Sequence, residues 1–218
     1  MKKAMILAAG RGQRMGELTA KCPKPLLRVN GRYLIDYAIS SIKLAGIREI
    51  VINVSYHGDQ IKNALGDGMQ HGVSITYSEE AERLETGGGI FQALPLLGTE
   101  PFIVVSSDIM TNYPLWELPQ QPQGLAHLVM VSNPVFHPEG DYGLQDGQIG
   151  LDVGQKLTYA NVGVYRPELF SQCEAGYFRL TKVLNPAIAA GQVSGEHYHG
   201  AWHNIGTPAD LAAVNANV

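Results

Sequence analysis

Glycine and basic residues are concentrated in one loop near the start of the chain, directly after an apolar run. Residues 4–9 are apolar, and the loop that follows contains Gly10, Gly12 and Gly16. The basic residues of this loop are Arg11, Arg14, Lys21 and Lys24. Because glycine has no Cβ atom, it lets the backbone approach a ligand closely and adopt positive φ angles. Successive free N–H groups in such a loop form an anion-binding concavity, and basic side chains add donors and charge, so the pattern predicts a site for a phosphate chain.

Two common phosphate-binding loops do not fit this spacing. The P-loop requires a Lys and then a Ser or Thr after its second glycine, whereas Gly16 is followed by Glu17. The dinucleotide-binding loop requires a third glycine three residues after the second, and Met15 stands three residues after Gly12. The loop therefore belongs to neither class.

A second motif follows shortly after the glycine loop. Residues 7–15 read LAAGRGQRM and residues 23–27 read PKPLL. Together these motifs resemble those of the sugar-phosphate nucleotidyltransferases. Molybdopterin cytidylyltransferases have a similar glycine loop, but the PKP segment and a C-terminal Trp-x-x-x-Gly-Thr-Pro segment favour the sugar-phosphate enzymes. Residues 84–90, LETGGGI, are most similar to the uridylyltransferases of this family that act on N-acetylmuramate α-1-phosphate in peptidoglycan recycling.

The resemblance implies transfer of a nucleotidyl group from a nucleoside triphosphate, UTP in that subgroup, to a sugar 1-phosphate, with release of pyrophosphate. Of the expected catalytic residues, Arg14 neutralises the leaving pyrophosphate, Lys24 stabilises charge at the α-phosphate, and Asp108 holds a metal ion. The residues expected to bind the nucleotide are Ala8, Gly10, Arg11, Gly12, Thr86 and Gly87. The alternatives are a mannose-1-phosphate guanylyltransferase, a glucose-1-phosphate thymidylyltransferase and a non-catalytic nucleotide-binding regulatory protein.

The expected metal ligands are Asp108 and Asn204. Asp108 follows a predicted buried strand, as the metal-binding Asp of the resembling family does, although Ser107 replaces the usual preceding glycine. Asn204 stands where the family has a second Asp, in its Trp-x-Asp-x-Gly-Thr-Pro segment. Mg²⁺ prefers hard oxygen ligands, often one or two carboxylates together with substrate phosphates. We therefore expect Mg²⁺ as cofactor, either held more weakly than in relatives that have the second carboxylate or held in an impaired enzyme.

The resemblance assigns the sugar phosphate to the second half of the chain. In relatives a glycine that follows an aromatic residue contacts the sugar, and here Gly143 follows Tyr142 at the end of a predicted loop over residues 133–143. Asn161 and Gly163 lie in a predicted strand over residues 158–165 and match further acceptor contacts, less specifically. These three residues are the expected sugar-phosphate site.

Two groups of polar side chains are assigned to the surface. His197, His199 and His203 would share one face of a continuous strand, which could suggest zinc. Histidines that alternate along an exposed strand are common, and no fourth ligand is evident, so an ordinary surface strand is favoured. The acidic residues that we expect to form a solvated surface are Glu79, Glu80 and Glu82.

Alternating strand and helix patterns supply the framework for these residues. Apolar strands are predicted after each of three helices, the third of which spans residues 86–94 and ends at Pro95. This order implies a largely parallel sheet with right-handed crossovers and ligands at the carboxyl ends of the strands. We expect a three-layer α/β fold with a Rossmann-like, mostly parallel (mixed) sheet of the nucleotidyltransferase type. Residues 1–218 are expected to form a single domain, because the short loop at residues 119–124 does not justify a boundary.

The composition of the chain limits the classes of partner that we expect. The net charge is −4 and aromatic residues make up 8% of the chain, so a nucleic-acid surface is not indicated. No segment is long and apolar enough to span a bilayer, and the two cysteines are not at metal spacing. We expect a cytoplasmic protein whose partners are a nucleoside triphosphate and a sugar 1-phosphate, with no nucleic acid and no membrane, and the sequence makes no prediction about oligomeric state.

Overall fold

The computed structural model describes residues 1–216 and contains thirteen strands and five α-helices. The strands are β1 Lys3–Leu7, β2 Arg28–Val29, β3 Arg32–Tyr33, β4 Glu49–Val54, β5 Ser74–Glu79, β6 Phe102–Ser106, β7 Ile109–Thr111, β8 Ala126–Val131, β9 Tyr142–Gln145, β10 Gln148–Gly150, β11 Lys156–Tyr165, β12 Val193–Tyr198 and β13 Trp202–Asn204. The helices are α1 Leu34–Leu44, α2 Gly58–Leu65, α3 Glu85–Leu97, α4 Thr181–Ala189 and α5 Pro208–Ala216. Five short 3₁₀ helices connect them.

Nine strands form one mixed sheet in the order β5-β4-β1-β6-β11-β8-β12-β10-β9. The first four are parallel to one another, as the strand–helix alternation predicts. Strand β11 runs antiparallel to both β6 and β8, and β12 is parallel to β8. Strand β9 pairs with β11 as well as with β10, so the second half of the sheet curls back on itself.

Helices cover both faces of the sheet, which gives the expected three layers. Along β4, Ile50 and Ile52 pack into the core under α1 and α2, whereas Val51 packs into the core with α3 and α4. Successive side chains of a strand point to opposite faces, so a strand covered on both faces must be apolar throughout. This burial explains why residues 50–52 of β4, 4–7 of β1 and 102–105 of β6 are all apolar.

Three local predictions differ from the structure. Helix α3 does not end at Pro95 but continues to Leu97, and Gly98 then donates its N–H to Leu94 O at 2.9 Å. A proline close to a helix end removes only one late hydrogen bond, which the packing of Leu97 in the core offsets. Gly143 lies in strand β9 and not in a loop. The three C-terminal histidines do not share one strand, because the chain breaks between β12 and β13.

The carboxyl ends of β1 and β6 lie side by side, with Leu7 in register with Ser106. Ser107 donates its N–H to Leu7 O at 3.0 Å, which holds the segment after β6 against the start of the glycine loop. The ribbon of β7 and β13 then places Asn204 opposite Ile109, next to Asp108. Across residues 1–216 no helix combines the length and apolar character needed to cross a membrane.

Candidate active site

A cavity of about 620 Å³ opens at this edge of the sheet. Its walls come from the glycine loop, the start of α3, the segment after β6, and β11 and β13. The predicted site residues that line it are Ala8, Gly10, Arg11, Gly12, Arg14, Lys24, Thr86, Asp108, Asn161 and Asn204. The structure therefore brings residues from widely separated parts of the sequence to one place.

The glycines of the loop differ in what surrounds them. A Cβ atom at Gly10 would meet no other atom within 4 Å, so this backbone lies open beside the cavity. Gly12 has a φ of 63°, and a Cβ atom there would lie 3.0 Å from Thr19 Cγ2 and 3.1 Å from Lys24 Cβ. Thr19 Oγ1 also donates to Gly12 O at 3.0 Å. Gly10 thus leaves space for a ligand, whereas Gly12 lets the loop fold tightly against Lys24.

Lys24 forms an ion pair with Asp108, with 2.5 Å between Nζ and Oδ2. Lys24 begins a short 3₁₀ helix between Pro23 and Pro25, and the residue is 8% exposed. The fixed φ of proline restricts the backbone on both sides of the lysine, so its side chain leaves from a rigid segment. A buried cation beside a carboxylate at the carboxyl edge of the sheet can stabilise negative charge on a phosphate chain.

Asn204 supplies a second oxygen beside Asp108. Ile205 donates its N–H to Asp108 O at 2.9 Å, which ties the two segments together. Asn204 Oδ1 is buried and accepts no hydrogen bond from any residue that the structure describes. Buried polar atoms in folded proteins are almost always paired, so an unpaired carbonyl oxygen in the cavity that Asp108 also lines fits a cation ligand. The donor set, one carboxylate and one amide oxygen, is of the kind that Mg²⁺ accepts when phosphate oxygens complete its shell.

Arg14 is held against the start of α5. A Cβ atom at Gly206 would lie 3.2 Å from Arg14 Nη1, so the guanidinium packs on the bare backbone of that glycine. Asp210 Oδ2 accepts the N–H groups of Gly206 at 3.0 Å and Thr207 at 2.7 Å, which fixes this turn. The Gly-Thr-Pro segment therefore makes room for Arg14 and caps the helix in one turn.

Asn161 has a backbone conformation that is unusual for a residue other than glycine. Its φ is 56°, and the register of β11 against β8 shifts between Tyr159 and Gly163. A bulge of this kind redirects a side chain, and strained backbone is common at functional sites. Here the bulge places Asn161 on the cavity wall.

The comparison with protein families agrees with this geometry. A family model described as nucleotidyl transferase matches residues 3–148. The chain belongs to the nucleotidyl transferase family. The expected family and its enzymatic character are thereby confirmed.

Two relatives and one solved structure extend the comparison. The N-acetylmuramate alpha-1-phosphate uridylyltransferase of Neisseria meningitidis is 46% identical, over 98% of this chain and 97% of that protein. The enzyme of the same name from Caulobacter vibrioides is 33% identical, over 100% of this chain and 97% of its own length. The inositol-1-phosphate CTP transferase from T. maritima has a TM-score of 0.81 at 21% identity, over 100% of this chain and 98% of that one, and shares the fold.

Three predicted site glycines of this nucleotidyl transferase are not on the cavity wall. A Cβ atom at Gly87 would lie 2.5 Å from Phe178 Cδ2, and one at Gly143 would clash with Val153 O. At Gly163 it would lie 2.8 Å from His127 O. The sequence motif indicates that something approaches each glycine closely, and in the structure the approaching group is the protein itself.

Glu80 and Asn53 are among the polar residues that line the cavity but were not predicted as site residues. Glu80 was assigned to the solvated surface, but it is 5% exposed, unlike its neighbours Glu79 and Glu82, so that assignment is wrong. Burial raises the pKa of the Glu80 carboxyl above its usual range. Asn53 is 3% exposed and lies within β4. The available sequence signal was Asn53 itself, which interrupts the apolar part of the run EIVINV, because a buried amide requires specific partners.

The C-terminal histidines lie near one another only in part. His197 lies near the end of β12 and His199 just beyond it, with their ring centroids 3.9 Å apart and their planes tilted by 46°. Within residues 1–216 no group of three or more His, Cys, Asp or Glu side chains is arranged to hold a metal ion.

Proposed function

We propose that this enzyme transfers a uridylyl group from UTP to N-acetylmuramate α-1-phosphate and releases pyrophosphate. The observation that carries the reaction type is the open Gly10 backbone in one cavity with the Lys24–Asp108 pair. The choice of substrates is supported by the 46% identity, over 98% of the chain, to the Neisseria meningitidis enzyme of that name. A phosphate oxygen of the sugar 1-phosphate attacks the α-phosphorus, and the bond to pyrophosphate breaks.

The protein residues act by positioning and by charge stabilisation. A phosphate dianion is already a nucleophile, so no general base is required, and the terms that remain are orientation and electrostatics. Lys24 stabilises charge at the α-phosphate, and Arg14 neutralises the pyrophosphate as it leaves. The N–H groups of residues 10–12 bind the triphosphate, and Thr86 and Asn161 contact the nucleotide and the sugar from the other walls.

Asp108 and Asn204 are the residues that would hold Mg²⁺. The unpaired Asn204 Oδ1 and the adjacent Asp108 carboxylate support this assignment. When bound, the ion neutralises charge on phosphate oxygens as a Lewis acid. The neutral amide at Asn204 leaves the site one negative charge short of two carboxylates, and the phosphates of the nucleotide supply the remaining charge.

The test is pyrophosphate release in the presence of Mg²⁺. UTP, GTP, CTP and dTTP are each combined with N-acetylmuramate, mannose and glucose 1-phosphates, and UTP with the muramate is expected to give the highest kcat/KM. Preference for GTP with mannose 1-phosphate would contradict the substrate assignment and favour a mannose-1-phosphate guanylyltransferase. Preference for dTTP with glucose 1-phosphate would favour a glucose-1-phosphate thymidylyltransferase. Asp108→Asn is the matched control for the charge of the proposed metal ligand, because it keeps the shape of the side chain and removes its charge.

A second variant addresses the altered metal ligand. Asn204→Asp adds the second carboxylate, and we expect it to lower the Mg²⁺ concentration that gives half-maximal activity. If the natural protein binds UTP without turnover and only this variant is active, the chain is a nucleotide-binding protein and the proposal fails.

A further inference from the structure

A buried chain of hydrogen bonds joins two walls of the cavity. Ala8, the first residue of the glycine loop, donates its N–H to Asn53 Oδ1 at 2.8 Å. Asn53 Nδ2 donates to Glu80 Oε1 at 2.6 Å. Glu80 Oε2 in turn accepts the N–H of Leu84 at 3.0 Å, directly before α3. The chain thus runs from the end of β1, through one side chain within β4 and one just after β5, to the start of α3.

The pair is enclosed as well as connected. Asn53 and Glu80 are 3% and 5% exposed, and both border the cavity. A Cβ atom at Gly89 would lie 2.5 Å from Glu80 Oε1 and 2.8 Å from Asn53 Nδ2, so α3 packs directly on the pair. Leu84 precedes Glu85 and Thr86, which line the cavity opposite the loop. The pair therefore contacts two walls of the cavity, the glycine loop and the start of α3.

We propose that Asn53 and Glu80 are positioning residues that hold the glycine loop and the start of α3 at the separation that the nucleotide requires. The proposal rests on the proposed function for its ligand, a nucleoside triphosphate. It adds that affinity depends on a carboxylate–amide pair whose hydrogen bonds reach the backbone at Ala8 and Leu84.

The direction of each hydrogen bond is fixed by the two backbone ends. The N–H groups of Ala8 and Leu84 can only donate, so each must face an oxygen. Only one hydrogen remains to be shared between the two side chains, and the Asn53 amide supplies it. One amide and one carboxylate satisfy this arrangement. The amide can stand at position 53 and the carboxylate at position 80, or the reverse.

This logic defines a swap experiment. In Glu80→Gln two amides meet, and one N–H group is left facing a donor. In Asn53→Asp two carboxylate oxygens meet without a hydrogen between them. The double variant Asn53→Asp with Glu80→Gln restores a full set of bonds, because the new amide at position 80 then donates to the new carboxylate at position 53. A lost or unsatisfied buried hydrogen bond weakens binding by about tenfold or more, so each single variant should bind UTP at least about tenfold more weakly.

The dissociation constant for UTP, KM and kcat are measured for the natural protein and the three variants. We expect each single variant to raise KM by a larger factor than it lowers kcat. The double variant should return to within about twofold of the natural UTP affinity. A double variant that binds UTP as weakly as the weaker single variant overturns the proposal. That result would mean that the Glu80 carboxylate acts directly on the ligand. Single variants that bind UTP normally overturn it as well.

Amide hydrogen exchange at Ala8 and Leu84 gives a readout that does not depend on activity. We expect faster exchange at both positions in each single variant and natural rates in the double variant. If no nucleotide is turned over but this exchange pattern holds, the proposed function is wrong, whereas the positioning role of the Asn53–Glu80 pair (the bridge between Ala8 and Leu84) is supported. Gly89→Ala, which presses on the pair from α3, should also weaken UTP binding although Gly89 does not line the cavity, and normal UTP affinity in that variant would count against the bridge.

Discussion

At the scale of single side chains, Lys24 forms a 2.5 Å ion pair with Asp108 in the cavity. Replacement of Lys24 by Ala removes a charge that is needed most when negative charge moves to the leaving group. Loss of one preorganised donor of this kind lowers turnover by about 100-fold to 1000-fold. We expect Lys24→Ala to lower kcat by that factor and to change the UTP dissociation constant far less, as measured by steady-state kinetics and calorimetry. Retained turnover would rule out the assigned role.

The same ion pair predicts competition between Lys24 and a divalent cation for Asp108. The ammonium group of Lys24 donates to Oδ2 of the carboxylate that would ligate the metal. Lys24→Met keeps most of the side-chain volume and removes the charge, so it should tighten Mn²⁺ binding to the nucleotide-free protein, measured by electron paramagnetic resonance of free Mn²⁺.

Lys21→Met is the matched control, because Lys21 is exposed in the same loop and does not line the cavity. It should leave Mn²⁺ binding unchanged. Equal affinity in the natural protein and Lys24→Met would show that the pair does not compete with the cation. If Asp108→Asn did not weaken Mn²⁺ binding in the Lys24→Met background, the metal assignment itself would be wrong.

Among the elements, α3 shows how one sequence pattern has two physical causes. From the sequence, Gly87 at its start is expected to bind the nucleotide. In the structure, Gly87 contacts Phe178, Gly88 lies against Gly176 O, and Gly89 lies against the Asn53–Glu80 pair. Sequence alone could not separate these cases, because a missing Cβ atom reports a close neighbour without saying whether the neighbour is ligand or protein.

This difference gives a paired prediction for Gly87 and Gly10. Gly87→Ala places a methyl group 2.5 Å from Phe178 Cδ2 and 2.9 Å from the Arg179 backbone, so it should lower the free energy of unfolding by about 1–3 kcal/mol. Gly10→Ala meets no atom within 4 Å, so it should leave stability unchanged and weaken UTP binding. Urea denaturation and UTP titration of both variants test this. A Gly87→Ala protein of natural stability with lost UTP affinity would return Gly87 to the nucleotide site.

For the molecule as a whole, the sequence was sufficient for the parallel half of the fold and less so for the rest. The apolar strands and helical spacings predict the parallel half and its carboxyl edge, and the motifs indicate the residues that meet there. The sequence does not reveal that Glu80 is buried, because its polar neighbours resemble a surface and its partners lie in β4 and before α3. Long-range pairing of this kind depends on the tertiary structure, and local patterns do not encode it.

The buried carboxylate also affects the pH dependence of global stability. Burial is the largest influence on Glu80 and raises its pKa above the usual value near 4.3, against the smaller opposing effects of Asn53, Leu84 and Arg83. Between the unfolded and folded pKa values, the folded protein therefore binds a proton that the unfolded chain has lost. This contribution to stability is fully present below the unfolded pKa and declines as pH rises through the folded pKa.

Urea denaturation from pH 4 upward, on the natural protein and on Glu80→Gln, measures this contribution as a difference that cancels the other titrating groups. We expect the free energy of unfolding of the natural protein, relative to Glu80→Gln, to fall as pH rises through that window and then to become constant. The difference in slope is the informative quantity, because Glu80→Gln also breaks a hydrogen bond at every pH. A relative stability that rises with pH would mean that the hydrogen bonds from Asn53 and Leu84 outweigh burial, and that the carboxylate is held in its charged form by the bridge itself.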